Sequence, residues 1–218
     1  MVKKFVSDRL LIVLITAYIM IHPGTILKFI DDSIGYGVFA TEFIPEGTIT
    51  YVKDSLEISI TPEEYQSHSE ELKQIIEKYS YIDEYNNRII SWDHAKYVNH
   101  CCNCNTMSTG YGFEIAIRSI LPGEQITDEY GIFNLEYEKP IHCGHSACRK
   151  ILHPNDFDSL YHLWDTQVKK SLEKFFEVDQ PLINFVEQTT RNELNSFFVN
   201  HKNYKSVYSL KVKKNLPV

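Results

Sequence analysis

Tyr97-Val98-Asn99-His100-Cys101-Cys102-Asn103-Cys104-Asn105 is the stretch on which the reading of this chain turns. An amide and an imidazole stand directly before three thiols, a dense run of polar and metal-binding groups. A second cluster, Cys143 and Cys148, completes the five cysteines of the chain. Adjacent cysteines do not readily bridge each other, and an odd count leaves one thiol over. The pattern is that of reduced thiols, some able to hold a metal, in a reducing compartment such as cytoplasm or nucleus.

Working outward, short apolar alternations are cut by tight turns. Thr25 to Ile30 reads as a strand, Asp31-Asp32-Ser33 turns it, and Ile34-Gly35-Tyr36-Gly37-Val38-Phe39-Ala40 is a glycine-punctuated turn entering a second strand. Thr48 to Val52, Tyr79 to Ile82, Arg88 to Ser91 and Phe113 to Arg118 continue the pattern. Thr61-Pro62-Glu63-Glu64 carries a helix start, with a Thr cap, Pro at the first position and acids in the first turn. The spacing predicts one helix to about Lys78, with Tyr65, Leu72, Ile75 and Ile76 on its apolar side. From about residue 156, Leu160, Trp164, Val168, Leu172 and Phe175 recur at helical spacing, and a further amphipathic stretch follows Pro181.

The 218 residues, 43% hydrophobic and 23% charged, suit one good-sized domain with an appendage. A formal net charge of -7 offers no basic stripe for phosphates, so direct nucleic-acid binding is not expected. An acidic surface suits a cationic peptide instead. At the N-terminus, Lys3, Lys4 and Arg9 precede the apolar run Leu10 to Ile21. It has the look of a secretory signal without a small-residue cleavage site, and is too short to span a bilayer of about 20 helical residues. A buried strand or an upstream extension is favoured, no membrane role is expected, and export stays open.

Three separated segments resemble, in order, the motifs of SET-domain protein-lysine methyltransferases. Gly35-Tyr36-Gly37 resembles the opening G-x-G motif. Asn99 to Asn105 resembles N-H-S-C-x-P-N, with Cys101 for Ser and Cys104 for Pro. Gly123-Glu124-Gln125-Ile126-Thr127-Asp128-Glu129-Tyr130-Gly131 resembles G-E-E-L-T-x-D-Y-G, and Cys143-Gly144 with Cys148-Arg149 resembles a partial post-SET cysteine tail. The likeness covers residues 21 to 152. It leaves both ends unexplained and implies a fold of small twisted sheets; with the helical spacing read after residue 156, the expected fold is mainly β with helical additions (α+β) and a C-terminal helical hairpin. The expected organisation is an apolar extension (1–20), a SET domain (21–134), a post-SET-like segment (135–152) and a helical extension (153–218).

The resemblance also implies an activity: S-adenosylmethionine-dependent methyl transfer to a lysine side chain of a protein or peptide, a histone being one candidate. Tyr130 matches the family's catalytic tyrosine, and Tyr81, in Ser80-Tyr81-Ile82, resembles a tyrosine lining its substrate channel. Gly35, Tyr36, Gly37, Tyr97, Asn99 and His100 would hold the cofactor. Asp128 departs from the family, standing two before Tyr130 where Phe or Tyr is usual, and Glu129 replaces an Asp. The family holds a structural zinc with the N-H-x-C cysteine and three tail cysteines. Cys102, Cys143 and Cys148 match three of these, and Ile141 sits where the fourth belongs. His142, His145 or Cys104 could complete four ligands; otherwise the thiols pack without metal as small apolar groups. Two other classes stay open: a catalytically inactive SET-like module that binds peptides or proteins, and a zinc-dependent interaction domain without a cofactor.

Overall fold

Asp31 shapes the first hairpin. Its carboxylate accepts the N–H of Ser33 at 2.8 Å, that of Ile34 at 2.9 Å and the Ser33 hydroxyl at 2.6 Å. This local turn reverses the chain and joins β1 (Thr25–Asp31) antiparallel to β2 (Gly35–Ala40). In the computed structural model, which describes residues 20–213, five small sheets follow one another. The apolar run read at the N-terminus falls outside the described residues except for Met20 and Ile21, which are buried.

The central sheet has the order β3-β9-β8, from Ile49–Val52, Phe113–Ala116 and Thr106–Ser108. All four residues of β3 are buried, as expected of a strand covered on both faces. Two apolar clusters do the covering. Val38, Ala40, Ile44 and Ile120 pack on one side with Tyr51 and Ala116, while Trp164, Val168, Leu172 and Phe197 pack on the other with Ile49, Val52 and Ile115.

The second cluster is built by α3 (Asp156–Leu172) and α4 (Gln188–Val199), the expected C-terminal helical pair. Phe157, Trp164, Val168 and Leu172 follow one another at intervals of seven, four and four, one stripe of the helix, and each is 2% exposed or less. Buried Asp165 pins the chain after α4, accepting the Ser206 hydroxyl at 2.6 Å, the Tyr204 hydroxyl at 2.9 Å and the Val207 N–H at 2.9 Å. Helix accounts for 32% and strand for 23% of the structure, an α+β fold of small sheets.

A third sheet, ordered β4-β6-β5, comprises Ile58–Ile60, Arg88–Ile90 and Tyr81–Ile82. The single helix expected between these strands is two, α1 (Pro62–Ser67) and α2 (Glu70–Tyr79). Thr61 forms the anticipated capping box with Glu64, but Ser69 starts a new helix by accepting the Leu72 N–H. Of the expected apolar stripe only Ile76 is buried; Leu72 and Ile75 are 41% and 54% exposed. No helix among the described residues is long and apolar enough to cross a membrane.

The remaining short pairs set the site. β7 (Asn99–His100) lies parallel to β10 (Thr127–Asp128), with Asn99 opposite Thr127 and His100 opposite Asp128. β11 (Lys139–Pro140) pairs antiparallel with β12 (Ile151–Leu152), closing the cysteine segment into a loop.

Candidate active site

The parallel pair brings together two segments that lie 28 residues apart. Asn105 locks them: its side-chain amide donates to the Gln125 carbonyl at 2.8 Å, and its Oδ1 accepts the Thr127 N–H at 2.8 Å. Successive strand residues point to opposite faces, so Thr127 and Asp128 serve two different spaces. Thr127, Asn99, His100, Ile34 and Cys143 line an open cleft of about 630 Å³. Asp128, Tyr130, Tyr81 and Phe133 line a cavity of about 130 Å³ on the other side.

Tyr130 is held at that cavity from three directions. Its hydroxyl donates to the Val98 carbonyl at 2.7 Å and its backbone N–H donates to His100 Nδ1 at 3.2 Å. Its ring lies 5.4 Å from the His100 ring and 5.6 Å from that of Phe133. Burial, and the carboxylates of Asp128 and Glu114, push the phenol well above its ordinary value, so it stays a neutral donor at physiological pH. Tyr81 faces Phe133 at 5.2 Å between ring centres, and its hydroxyl reaches Glu57 at 3.5 Å. Burial raises Glu57 to about 7, and Asp93 adds to the shift. Tyr130 and Tyr81, read from motifs, therefore share one aromatic-walled cavity.

Of the predicted cofactor residues, Asn99 and His100 line the cleft, while Gly35, Tyr36, Gly37 and Tyr97 do not, although Ile34, next to Gly35, does. Gly35 adopts φ +84°, the left-handed region suited to glycine, with nothing within 4 Å of where a Cβ would stand. Gly37 is required for close packing: a Cβ there would come within 2.7 Å of Gln125 Nε2 and Ile30 Cδ1. Asn99 Nδ2 donates to the Tyr36 carbonyl at 3.0 Å, tying the glycine turn to β7. The rings of Phe29, Tyr36, Tyr97 and Tyr79 form an edge-to-face chain with spacings of 5.4 to 5.7 Å. His100 turns its side chain inward. Nδ1 lies 3.2 Å from the Tyr130 N–H and 3.1 Å from the Asp128 carbonyl oxygen, and Nε2 lies 3.4 Å from Cys102 Sγ. Burial first, then Arg149, lowers this imidazole to about 4 and keeps it neutral.

The cleft offers an S-adenosylmethionine the Asn99 amide and the polar groups of His100, Gln125 and Thr127, and it is of the size that holds such ligands.

Three sulfurs, of Cys102, Cys143 and Cys148, lie within 4.8 Å of one another. A tetrahedral zinc with Zn–S near 2.3 Å sets sulfurs roughly 3.8 Å apart, so the trio fits such an ion. Burial acts to raise the Cys143 thiol, but the N–H groups of Cys102 and His145 and the neighbouring thiols override it and bring it to about 7. Among the described residues, His142, His145 and Cys104 do not join the trio. Arg149 ties the tail to the site: its guanidinium grips both oxygens of Glu129 at 2.5 and 2.7 Å, and its N–H donates to Cys102 Sγ at 3.3 Å.

Sequence reasoning missed Glu114, Phe133 and Lys139 at the cavity, and Glu57 behind Tyr81. Glu114 occupies the polar position of an alternating strand, which normally marks solvent, and only the tertiary fold turns that face inward.

Comparison with known proteins places these features in a family context. The family model of the SET domain matches residues 35–131. "Putative histone-lysine N-methyltransferase ASHH4" of Arabidopsis thaliana is 29% identical over 135 residues, which are 56% of this chain and 37% of that protein. The chain thus covers little more than a third of that relative. The methyltransferase domain of human histone-lysine N-methyltransferase SETMAR superposes with a TM-score of 0.40 at 16% identity, covering 62% of this chain and 58% of that one.

Proposed function

We propose that the chain is an S-adenosylmethionine-dependent protein-lysine methyltransferase, a reading supported by the match of the SET-domain family model to residues 35–131. The observation that carries the reading is the parallel β7–β10 pair, which sets the cleft of Asn99 and Thr127 back to back with the cavity of Tyr130. The cofactor, when bound, supplies a sulfonium methyl group. Everything else falls to the protein's own residues.

Gly35, Tyr36 and Gly37 present backbone to the cofactor, while Asn99 and the backbone around His100 hold its polar ends. Tyr97, between Tyr36 and Tyr79, forms an aromatic wall. Tyr81 and Phe133 wall the channel that receives the lysine stem. A free lysine has a pKa of about 10.4, so the amine must lose a proton before it attacks. The Tyr130 hydroxyl spends its proton on the Val98 carbonyl, which leaves its oxygen lone pairs free to accept an amine N–H and orient the nitrogen. Cys102, Cys143 and Cys148 would hold a structural zinc, closing the tail beside the cleft. The relative's name makes a histone the first substrate to try.

Titration calorimetry with S-adenosylmethionine tests the reading. Binding by the wild type, weakened at least tenfold in Asn99→Ala, is expected. No detectable heat with the wild type, at protein concentrations of tens of micromolar, would sink the enzyme reading.

A further inference from the structure

Asp128 is a buried acid in a place where burial needs explaining. It is 2% exposed and lines the Tyr130 cavity. Its Oδ1 accepts the Glu129 N–H at 2.7 Å; its Oδ2 makes no well-formed hydrogen bond among the described residues, although the Glu114 carboxyl and the Ser108 hydroxyl lie near enough to favour its ionised form. A buried carboxylate oxygen without a full donor is unfavourable, and Asp128 lines a cavity from which a donor can arrive. Glu114, on β9, lines the same cavity and also a second one of about 410 Å³. It is surrounded by protein on all sides yet touches open space, so its carboxyl faces the cavities rather than bulk water.

Of the cations around the cavity, Arg88 pairs with Glu136, and Lys78 and Lys96 lie over the rings of Tyr79 and Tyr97; Lys139 lies over the Tyr130 ring at the cavity itself. Among the described residues, Asp128 and Glu114 form no ion pair. The other groups near them are acids or neutral donors: Glu57, Asp93 and Glu129 add negative charge, while Ser108, Tyr81 and Tyr130 carry hydroxyls. The result is an aromatic-walled cavity floored by two buried carboxyl groups, with no cation paired to them among the described residues.

We propose that Asp128, backed by Glu114, is a proton-accepting floor that receives the protonated amine of the substrate side chain. The inference rests on the methyl-transfer reading for its chemical purpose. The ammonium enters charged and donates an N–H to Asp128 Oδ2. The N–H bond then breaks, its electron pair stays on nitrogen as the lone pair needed for attack, and the proton passes to the carboxylate. The pair Asp128–Glu114 holds that proton, and Glu114 opens onto the second cavity, through which it leaves to water. Burial supports the role by pushing Asp128 up to about 7 and Glu114 well above its ordinary value, so the floor can take a proton near neutral pH. The pair titrates as a unit.

The test uses n-butylammonium as the probe, with no cofactor present, on the wild type, Asp128→Asn and Glu114→Gln. Calorimetry in two buffers of different ionisation enthalpy reads both affinity and proton exchange. Expected are butylammonium binding by the wild type, proton release on binding at pH 6 that diminishes by pH 9, and at least tenfold weaker binding in Asp128→Asn. Equal affinity in that variant, no proton release by the wild type, or no wild-type binding overturns the proposal. If Asp128→Asn does not fold, wild-type proton release decides alone. Methyl-transfer profiles separate the two claims. A chain that binds butylammonium with the stated linkage but transfers no methyl group loses the transferase reading and keeps the acidic floor. One whose kcat/KM rises through pH 7 identically in wild type and Asp128→Asn keeps the transferase and loses the floor.

Discussion

Replacing Arg149 by Met removes the cation that pairs with buried Glu129, the neighbour of Tyr130 in the chain. Glu129 has a side chain only 6% exposed, and Arg149, at 25%, contacts both of its oxygens while its other nitrogen reaches Asp156 at 3.3 Å. Breaking a buried pair from one side leaves an uncompensated charge and costs on the order of 3–5 kcal/mol; the partial exposure of Arg149 places the expected loss near the lower figure, about 3 kcal/mol at pH 8. Burial already holds Glu129 above the ordinary carboxylate range even with Arg149 in place. A carboxyl whose folded pKa is raised costs stability above that pKa, and the cost fades as pH falls towards the unfolded value of about 4.3. The Arg149→Met deficit should therefore shrink to less than about 1 kcal/mol by pH 4.5. Urea unfolding followed by tryptophan fluorescence at pH 8 and 4.5 reads both values. Adding Glu129→Gln should recover at least half of the loss at pH 8. A deficit below about 0.5 kcal/mol, or one indifferent to pH and to the second substitution, would refute the reasoning.

Other substitutions probe the rest of the site. Gly37→Ala places a Cβ within 2.7 Å of Gln125 and Ile30; a stability loss of about 1–3 kcal/mol and weaker S-adenosylmethionine binding are expected from unfolding and calorimetry. Elemental analysis of protein purified without chelator should find about one zinc per chain, and Cys102→Ser should abolish it; equal metal in both would clear Cys102 of that role. Glu57→Gln should stabilise the fold by about 2 kcal/mol at pH 8, because burial raises the native carboxyl to about 7 and an ionised group is lost. The gain should vanish at pH 4, where Glu57 is protonated in folded and unfolded chains alike.

The glycine turn, the Asn99-His100 step and the strand order of the first hairpin were legible because each depends on local chemistry. An Asp-rich turn, a glycine at positive φ and a Thr cap act within a few residues of themselves. The helix break at Ser69 was harder: Ser is both a weak helix former and a strong cap, and periodicity alone does not choose between them. Leu72 and Ile75 fit an apolar stripe, yet which face is buried depends on what packs there, and only Ile76 is covered. The acidic floor was out of reach for a different reason. Asp128 drew notice as a motif departure, but Glu114 looked like the wet side of a strand. Their meeting depends on β9 and β10 sharing a cavity, which spacing along the chain does not encode. The three clustered sulfurs were the opposite case, since resemblance alone brought Cys102 to the tail.

The central claim, methyl transfer at Tyr130, is tested most directly by incubating the protein with methyl-labelled S-adenosylmethionine and core histones, alongside Tyr130→Phe. Removing the hydroxyl keeps the ring against His100 and Phe133 but loses the group that orients the amine. Label on a histone lysine from the wild type, reduced at least a hundredfold in Tyr130→Phe with unchanged cofactor binding, is the predicted result. Equal labelling by the two proteins would contradict it.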